Sequence, residues 1–135
     1  MRAIECVFMT AIGSICLHGS ATAAQLTGTE IQELISGNSV YLRLTPSVTG
    51  TQGPGIIYYD TLGTVLFKTP KGVIWHGTWK IEGNKACINW KETSHNPCAK
   101  YVKRGDTLRT INVGTGVTRG EVTKIVPGNA DKLTP

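Results

Sequence analysis

His76 and His95 are the two histidines beyond the first two dozen residues, and each has neighbours that suggest chemistry. His76 stands between two tryptophans in W-H-G-T-W, where it could be a metal ligand or a base at the mouth of a barrel. One imidazole without a second ligand in phase is weak evidence, and we favour a partly exposed strand histidine that points away from Trp75. His95 precedes Cys98 with ligand-like spacing, but a disulfide-bonded cysteine cannot bind metal. We therefore expect no metal site and no cofactor.

Carboxylates are the remaining candidates for acid–base catalysis. The sequence has no G-x-S-x-G, H-E-x-x-H or S-x-x-K motif, and most Asp and Glu residues stand where a helix cap, a turn or a cross-strand pair would use them. We expect no catalytic residue and no enzymatic activity. One alternative stays open, a small enzyme that acts on envelope glycan with Glu and Asp as acid and base, for which Glu92 or Asp106 would be the residues to mutate.

The tryptophans are the candidate binding feature. Trp75, Trp79 and Trp90, together with His76, could line a site for a small apolar ligand or a groove for a partner. Small domains bury their aromatic side chains, so the same residues could simply form the core, and we favour that interpretation.

The first 23 residues have the order of a secretory signal peptide: Arg2, a mostly apolar run, then small residues ending in Ala21-Thr22-Ala23. A membrane anchor is the alternative, but the apolar run is shorter than the roughly 20 residues that a span needs. We expect cleavage after Ala23 or Ala24, a periplasmic or secreted protein, and no membrane span afterwards. Cys6 and Cys16 would leave with the peptide. Cys87 and Cys98 would remain as a structural disulfide, the usual state of a cysteine pair in an oxidising compartment.

The elements that must position these residues are one short helix and a series of strands. Thr27 and Glu30 form the signature of a capping box at the start of the helix, and Ser36-Gly37-Asn38 ends it. Alternating apolar residues then predict seven or eight strands separated by turns. The strongest hairpin signal is Gly83-Asn84, which would place Trp79 opposite Ile88. Gly53-Pro54-Gly55 and Gly114-Thr115-Gly116 are predicted as turns.

This pattern predicts a mainly β protein, an antiparallel meander that curls into a small barrel or curved sheet with one short N-terminal helix. Residues 24–126 form a single disulfide-stapled domain in this prediction, and residues 127–135 form a flexible tail.

The net charge of +5 bears on the partner. Lys and Arg are densest in residues 100–109, which favours either a solubilising surface or attraction to an anionic envelope component or acidic protein. Of the two, we favour the solubilising surface, because no run of Lys or Arg is long. Nucleic acid is not an expected partner, since the aromatic residues are too few for a stacking platform.

Two segments carry a resemblance to a known family. They are the capped helix L-T-G-T-E-I-Q-E-L-I-S-G-N and the later G-T-W-K-I-E-G-N-K-A-C-I-N-W, which is followed by a second cysteine, Cys98. The chain resembles a family of small secreted proteobacterial proteins whose function is unknown. The resemblance implies a periplasmic β domain and implies no catalytic residue.

The leading hypothesis is therefore a non-enzymatic periplasmic binding or accessory module. The glycan enzyme is the alternative, and an inhibitor of an exogenous enzyme such as lysozyme is a third. A protein of charge +5 is poorly matched to a basic target of that kind.

Overall fold

The computed structural model describes residues 22–46, 52–94 and 96–135. The predicted signal peptide up to residue 21, with Cys6 and Cys16, lies outside the described residues, as do His95 and part of the long loop after the second strand. The described elements are one helix and nine strands: β1 (Ala24–Gln25), α1 (Gly28–Ile35), β2 (Asn38–Leu44), β3 (Gly53–Tyr59), β4 (Thr64–Lys68), β5 (Ile74–Glu82), β6 (Lys85–Trp90), β7 (Cys98–Arg104), β8 (Thr107–Asn112) and β9 (Thr118–Pro127).

Strands β2 to β9 form an eight-stranded antiparallel barrel. Each strand pairs with the next along the chain, and β9 returns to pair with β2, which closes the sheet. The short strand β1 adds to the end of β7. The predicted mainly β meander is confirmed, and its closure removes the unpaired edges that an open sheet would leave.

The interior follows from the two-residue period of the strands. Inward side chains from every side of the barrel form one cluster, whose largest members include Tyr59, Phe67, Trp79, Trp90 and Tyr101. The outward positions between them are more exposed and mostly polar. A sheet curled around its own apolar face therefore supplies the core without a second layer.

Helix α1 covers one end of the barrel, which we call the helix end. The predicted capping box is present, because Thr27 accepts from the Glu30 amide and Glu30 accepts from the Thr27 amide. Ile31 and Ile35 are fully buried against the core. The Gly28 amide donates to Asn84 Oδ1 at 2.8 Å, which fixes the start of the helix on the β5–β6 turn.

The predicted β5–β6 hairpin is confirmed in its register. Gly77 pairs with Trp90, Trp79 with Ile88 and Glu82 with Lys85. Gly83 has a φ of +60°, the conformation that a tight hairpin turn requires. This register places Trp79 and Trp90 on the inner face and Cys87 on the outer face, where it bonds to Cys98.

One predicted turn is a strand instead. Gly53-Pro54-Gly55 begins β3, with Gly53 opposite Leu44 and Pro54 opposite Arg43. Strand β4 pairs with β3 only from Ile56 onward, so Pro54 sits where β3 has one neighbour and needs no second hydrogen bond.

The C-terminal segment also differs from the flexible tail that the sequence suggested. Strand β9 runs to Pro127, and the Ser39 hydroxyl then donates to the Gly128 carbonyl at 2.7 Å. Asn129 makes two hydrogen bonds to the backbone of Leu133, whose side chain is only 6% exposed. Asp131 lies 3.5 Å from Lys68 of β4. The segment therefore folds back over the outer face of the barrel.

Candidate functional site

The tryptophans named as candidate ligand-binding residues belong to the core. Trp79 and Trp90 are 7% and 5% exposed, and Trp75 is partly buried against them. The Trp75 and Trp90 rings meet edge to face with centroids 5.8 Å apart, and Phe67 contacts both. The indole N–H of Trp79 donates to the Asp60 carbonyl at 2.8 Å. Their packing and hydrogen bonding are those of structural aromatic residues.

The barrel interior is filled by its own side chains. Its cavity of about 20 Å³ lies between Leu42, Ile57, Tyr59, Tyr101 and Arg119. That volume suits one particle about the size of a water molecule. The small apolar ligand considered from the sequence has no room there, because a ligand pocket usually measures several hundred Å³.

His76 points away from its tryptophan neighbours, and Glu92 is its partner. The ring Nδ1 lies 2.5 Å from Glu92 Oε2, and the His76 amide donates to Glu92 Oε1 at 2.8 Å. Partial burial opposes ionisation of Glu92, but the hydrogen bonds from His76 outweigh it and hold the pKa of this carboxyl below its usual value. The pair joins strand β5 to the loop after β6 and so holds this loop against the barrel. Among the described residues no group of three His, Cys, Asp or Glu side chains could hold a metal ion.

The carboxylates of the enzyme alternative are far apart. Glu92 follows β6 at the end opposite the helix, whereas Asp106 lies in the β7–β8 turn at the helix end. The length of the barrel separates them, so these two residues do not form the acid–base pair that glycoside hydrolysis requires.

Cys87 and Cys98 form the disulfide predicted from the sequence. They stand directly opposite each other on β6 and β7. These two strands share only one other registered pair, Ala86 with Ala99, while β5 and β6 share six. The disulfide therefore reinforces the seam of the barrel with the fewest pairs among the described barrel strands.

Basic side chains gather on the outer face of the β7–β8 hairpin. Tyr101 and Thr110 face inward, so the alternating positions Lys100, Arg104 and Arg109 face outward. We call these three residues the basic face. Within the part of the chain that the structure describes, none of them takes part in an ion pair. The dense run of Lys and Arg in the sequence signalled this surface, but the strand register was needed to place it on one side.

A groove continues from the basic face across β9 to β2. Glu121 pairs in register with Arg109 on one side and with Arg43 on the other. Its carboxylate is bound by Arg43, which leaves Arg109 as an uncompensated cation beside that ion pair. The groove has a volume of about 540 Å³, and Thr45, Gln52 and Thr118 contribute to its lining. Its charge and its hydrogen-bonding groups are suited to an anionic surface.

Comparison with known proteins gives no match: no family model fits the chain, and no curated protein or solved structure does. The resemblance to a secreted family of unknown function stays a prediction. None of the helices in the described residues is long and apolar enough to cross a membrane.

Proposed function

We propose that this protein is an exported, non-enzymatic binding module whose basic face recognises an anionic component of the cell envelope. The observation that carries the proposal is the contrast between the two sides of the sheet. The inner side leaves a cavity of about 20 Å³, while the outer side presents cations that bind no carboxylate of the described chain.

The scaffold favours such recognition because the cations stand on paired strands. Lys100, Arg104 and Arg109 belong to a hairpin with six registered pairs, so their backbone positions are fixed before any partner arrives. Preorganisation of this kind lowers the entropic cost of binding. Their like charges attract an anionic surface over about a Debye length, so binding should weaken with added salt.

Export is part of the same proposal, and the N-terminal strand supports it. Ala24 pairs with Lys103 and Gln25 with Val102. A chain cleaved after Ala23 would begin at strand β1 and keep this pairing. The Cys87–Cys98 bond is of the kind that persists in oxidising compartments.

Native mass spectrometry of protein recovered from the periplasm of an exporting host tests this part. We expect a chain that begins at Ala24 or Gln25 and is lighter by two hydrogens than the reduced form. A chain that retains its first residues, or a reduced pair, would contradict it.

Binding to phosphatidylethanolamine vesicles that contain phosphatidylglycerol tests recognition. We expect the mature protein to co-sediment with them at low salt and to be released at high salt. The variant Lys100→Gln/Arg104→Gln/Arg109→Gln should lose most of this binding. The control Lys71→Gln/Lys91→Gln/Lys132→Gln removes the same charge from exposed positions elsewhere and should retain it.

The comparison of the two triple variants distinguishes binding by the basic face from a general effect of net charge. Equal losses in both would mean that only the overall charge of +5 matters. If the unmodified protein does not bind the anionic vesicles but binds an acidic protein through the same face, the partner is a protein and not a lipid headgroup. Unchanged binding in the basic-face variant would overturn the proposal.

A further inference from the structure

The cavity inside the barrel has an unusual lining for its size. Apolar side chains form most of its wall, and the polar groups are Tyr59, Tyr101, Thr110 and Arg119. None of the lining residues is acidic. Arg119 is partly exposed, and the cavity wall therefore contains a positive charge with no carboxylate beside it to offset that charge.

A break in the strand pairing directs Arg119 to this cavity. Thr110 pairs with Gly120, and the next residue of β8, Ile111, pairs with Thr118. Arg119 is the extra residue of this β-bulge, and bulges re-aim side chains that would otherwise alternate. Arg119 is therefore a wall residue of the interior while Glu121, two positions later, pairs with Arg43 on the outer face.

The tyrosine hydroxyl groups in the cavity wall can donate a hydrogen bond to a bound ligand. The Tyr59 and Tyr101 oxygens are 3.3 Å apart, so one hydroxyl donates to the other and the second keeps a free proton. Burial raises the pKa of both phenols, that of Tyr101 well above its usual value, although the charge of Arg119 opposes the rise. Both therefore stay protonated at neutral pH. Thr110 is 5% exposed, and its side chain lines the same cavity.

We propose that this cavity binds a single halide ion, with chloride as the natural occupant. Arg119 supplies the opposite charge, and the hydroxyl groups of the tyrosine pair and of Thr110 supply hydrogen bonds. A water molecule also has the right size, but it carries no charge of its own to offset that of Arg119. The chemistry of the lining, with one cation, hydroxyl donors and no carboxylate, selects a small anion.

The first test is thermal unfolding of the mature protein in chloride-free gluconate buffer, titrated with sodium bromide at constant ionic strength. Gluconate is too large for a cavity of about 20 Å³ and supplies the matched salt. We expect Tm to rise with bromide and to reach a plateau, as linkage requires for a ligand of the folded state. No difference between bromide and gluconate would overturn the proposal.

Variants locate the effect. Arg119→Gln should abolish the rise in Tm with bromide, and Arg109→Gln, which removes the same charge from the outer face, should keep it. Tyr101→Phe removes one hydroxyl and keeps the ring, so it should shift the titration to higher bromide concentration. An equal bromide response in Arg119→Gln and the unmodified protein would place the ion elsewhere and contradict the site.

A crystal of the unmodified protein grown with sodium bromide gives a test that depends on no variant. We expect an anomalous peak between Tyr101, Thr110 and Arg119. A cavity that contains only water-level density without anomalous signal would overturn the proposal, even if bromide binds at the surface.

Discussion

Gly28 stands where the fold leaves no room for a side chain. A Cβ at this position would overlap the carbonyl oxygen of Gly83 in the β5–β6 turn and would touch Ile81. Alanine normally favours a helix over glycine by up to about 1 kcal/mol, but overpacking costs about 1–3 kcal/mol. We predict that Gly28→Ala lowers the free energy of unfolding in urea, whereas Thr29→Ala on the exposed side changes it by less than about 0.5 kcal/mol. A Gly28→Ala protein as stable as the original would show that the helix does not rest on this turn.

Glu92 should make stability depend on pH. Its pKa is lowered in the folded protein from the ordinary value of 4.5, so the stabilisation is present above that value and is lost as pH falls through the folded value. Glu92→Gln should therefore cost about 0.5–1 kcal/mol at pH 7 and nothing measurable near the acid end. Glu33→Gln, on the exposed side of α1, is the control and should show no such difference. A cost for Glu92→Gln that persists at low pH would point to lost packing instead.

At this scale the period of the strands predicted much of what was found. Alternation directs His76 away from Trp75, and the Gly83-Asn84 turn sets the register that places Trp79 opposite Ile88. The strand period fails at Arg119, because a bulge between β8 and β9 breaks the alternation there and leaves no marker in the sequence. The partnership of His76 with Glu92 was also missed, since it joins a strand to a loop 16 residues away.

At the scale of elements, the β6–β7 seam depends on its disulfide. With one other registered pair between the strands, the bond holds together a weakly paired part of the barrel. The chain-entropy model gives roughly 3 kcal/mol for a loop of this length. We predict that Cys87→Ser/Cys98→Ser loses about that much unfolding free energy and exchanges the amides of β6 and β7 faster, while binding to anionic vesicles is unchanged. Dithiothreitol should bring the unmodified protein to the same stability, and a normal unfolding curve for the variant would contradict the structural role.

The C-terminal segment should stabilise the barrel although its sequence suggests a loose end. Leu133 is buried and held by Asn129, and truncating a buried leucine costs about 2–5 kcal/mol in a core and less at a surface cover. We predict that Leu133→Ala lowers Tm by several degrees, while Thr134→Ala, exposed and one residue later, has no effect. Equal Tm values for the two variants would show that the segment is loose. The segment consists mostly of proline, glycine and polar residues, which is typical of a loose end. Its docking could not be predicted because it depends on one leucine and one asparagine.

In the whole molecule, turn residues and alternation in the sequence determine the hairpins, whereas the barrel depends on the pairing of β2 with β9. Turn residues and alternation predict each antiparallel neighbour along the chain. The pairing of β2 with β9 joins residues about 80 positions apart, such as Leu44 with Gly120, and no local pattern specifies it. Closure also decides what the tryptophans do, since it turns one apolar face into an enclosed core. The outer basic face is a further consequence of the whole register.

We propose that recognition takes place on the outer face of the barrel and not within it. An amide and indole NMR titration of the mature protein with bicelles that contain phosphatidylglycerol tests it directly. We predict that the amides around Lys100, Arg104 and Arg109 shift, while the indole N–H signals of Trp79 and Trp90 stay in place. Shifts of the indole signals with an unperturbed β7–β8 hairpin would place the ligand inside the barrel and contradict this proposal.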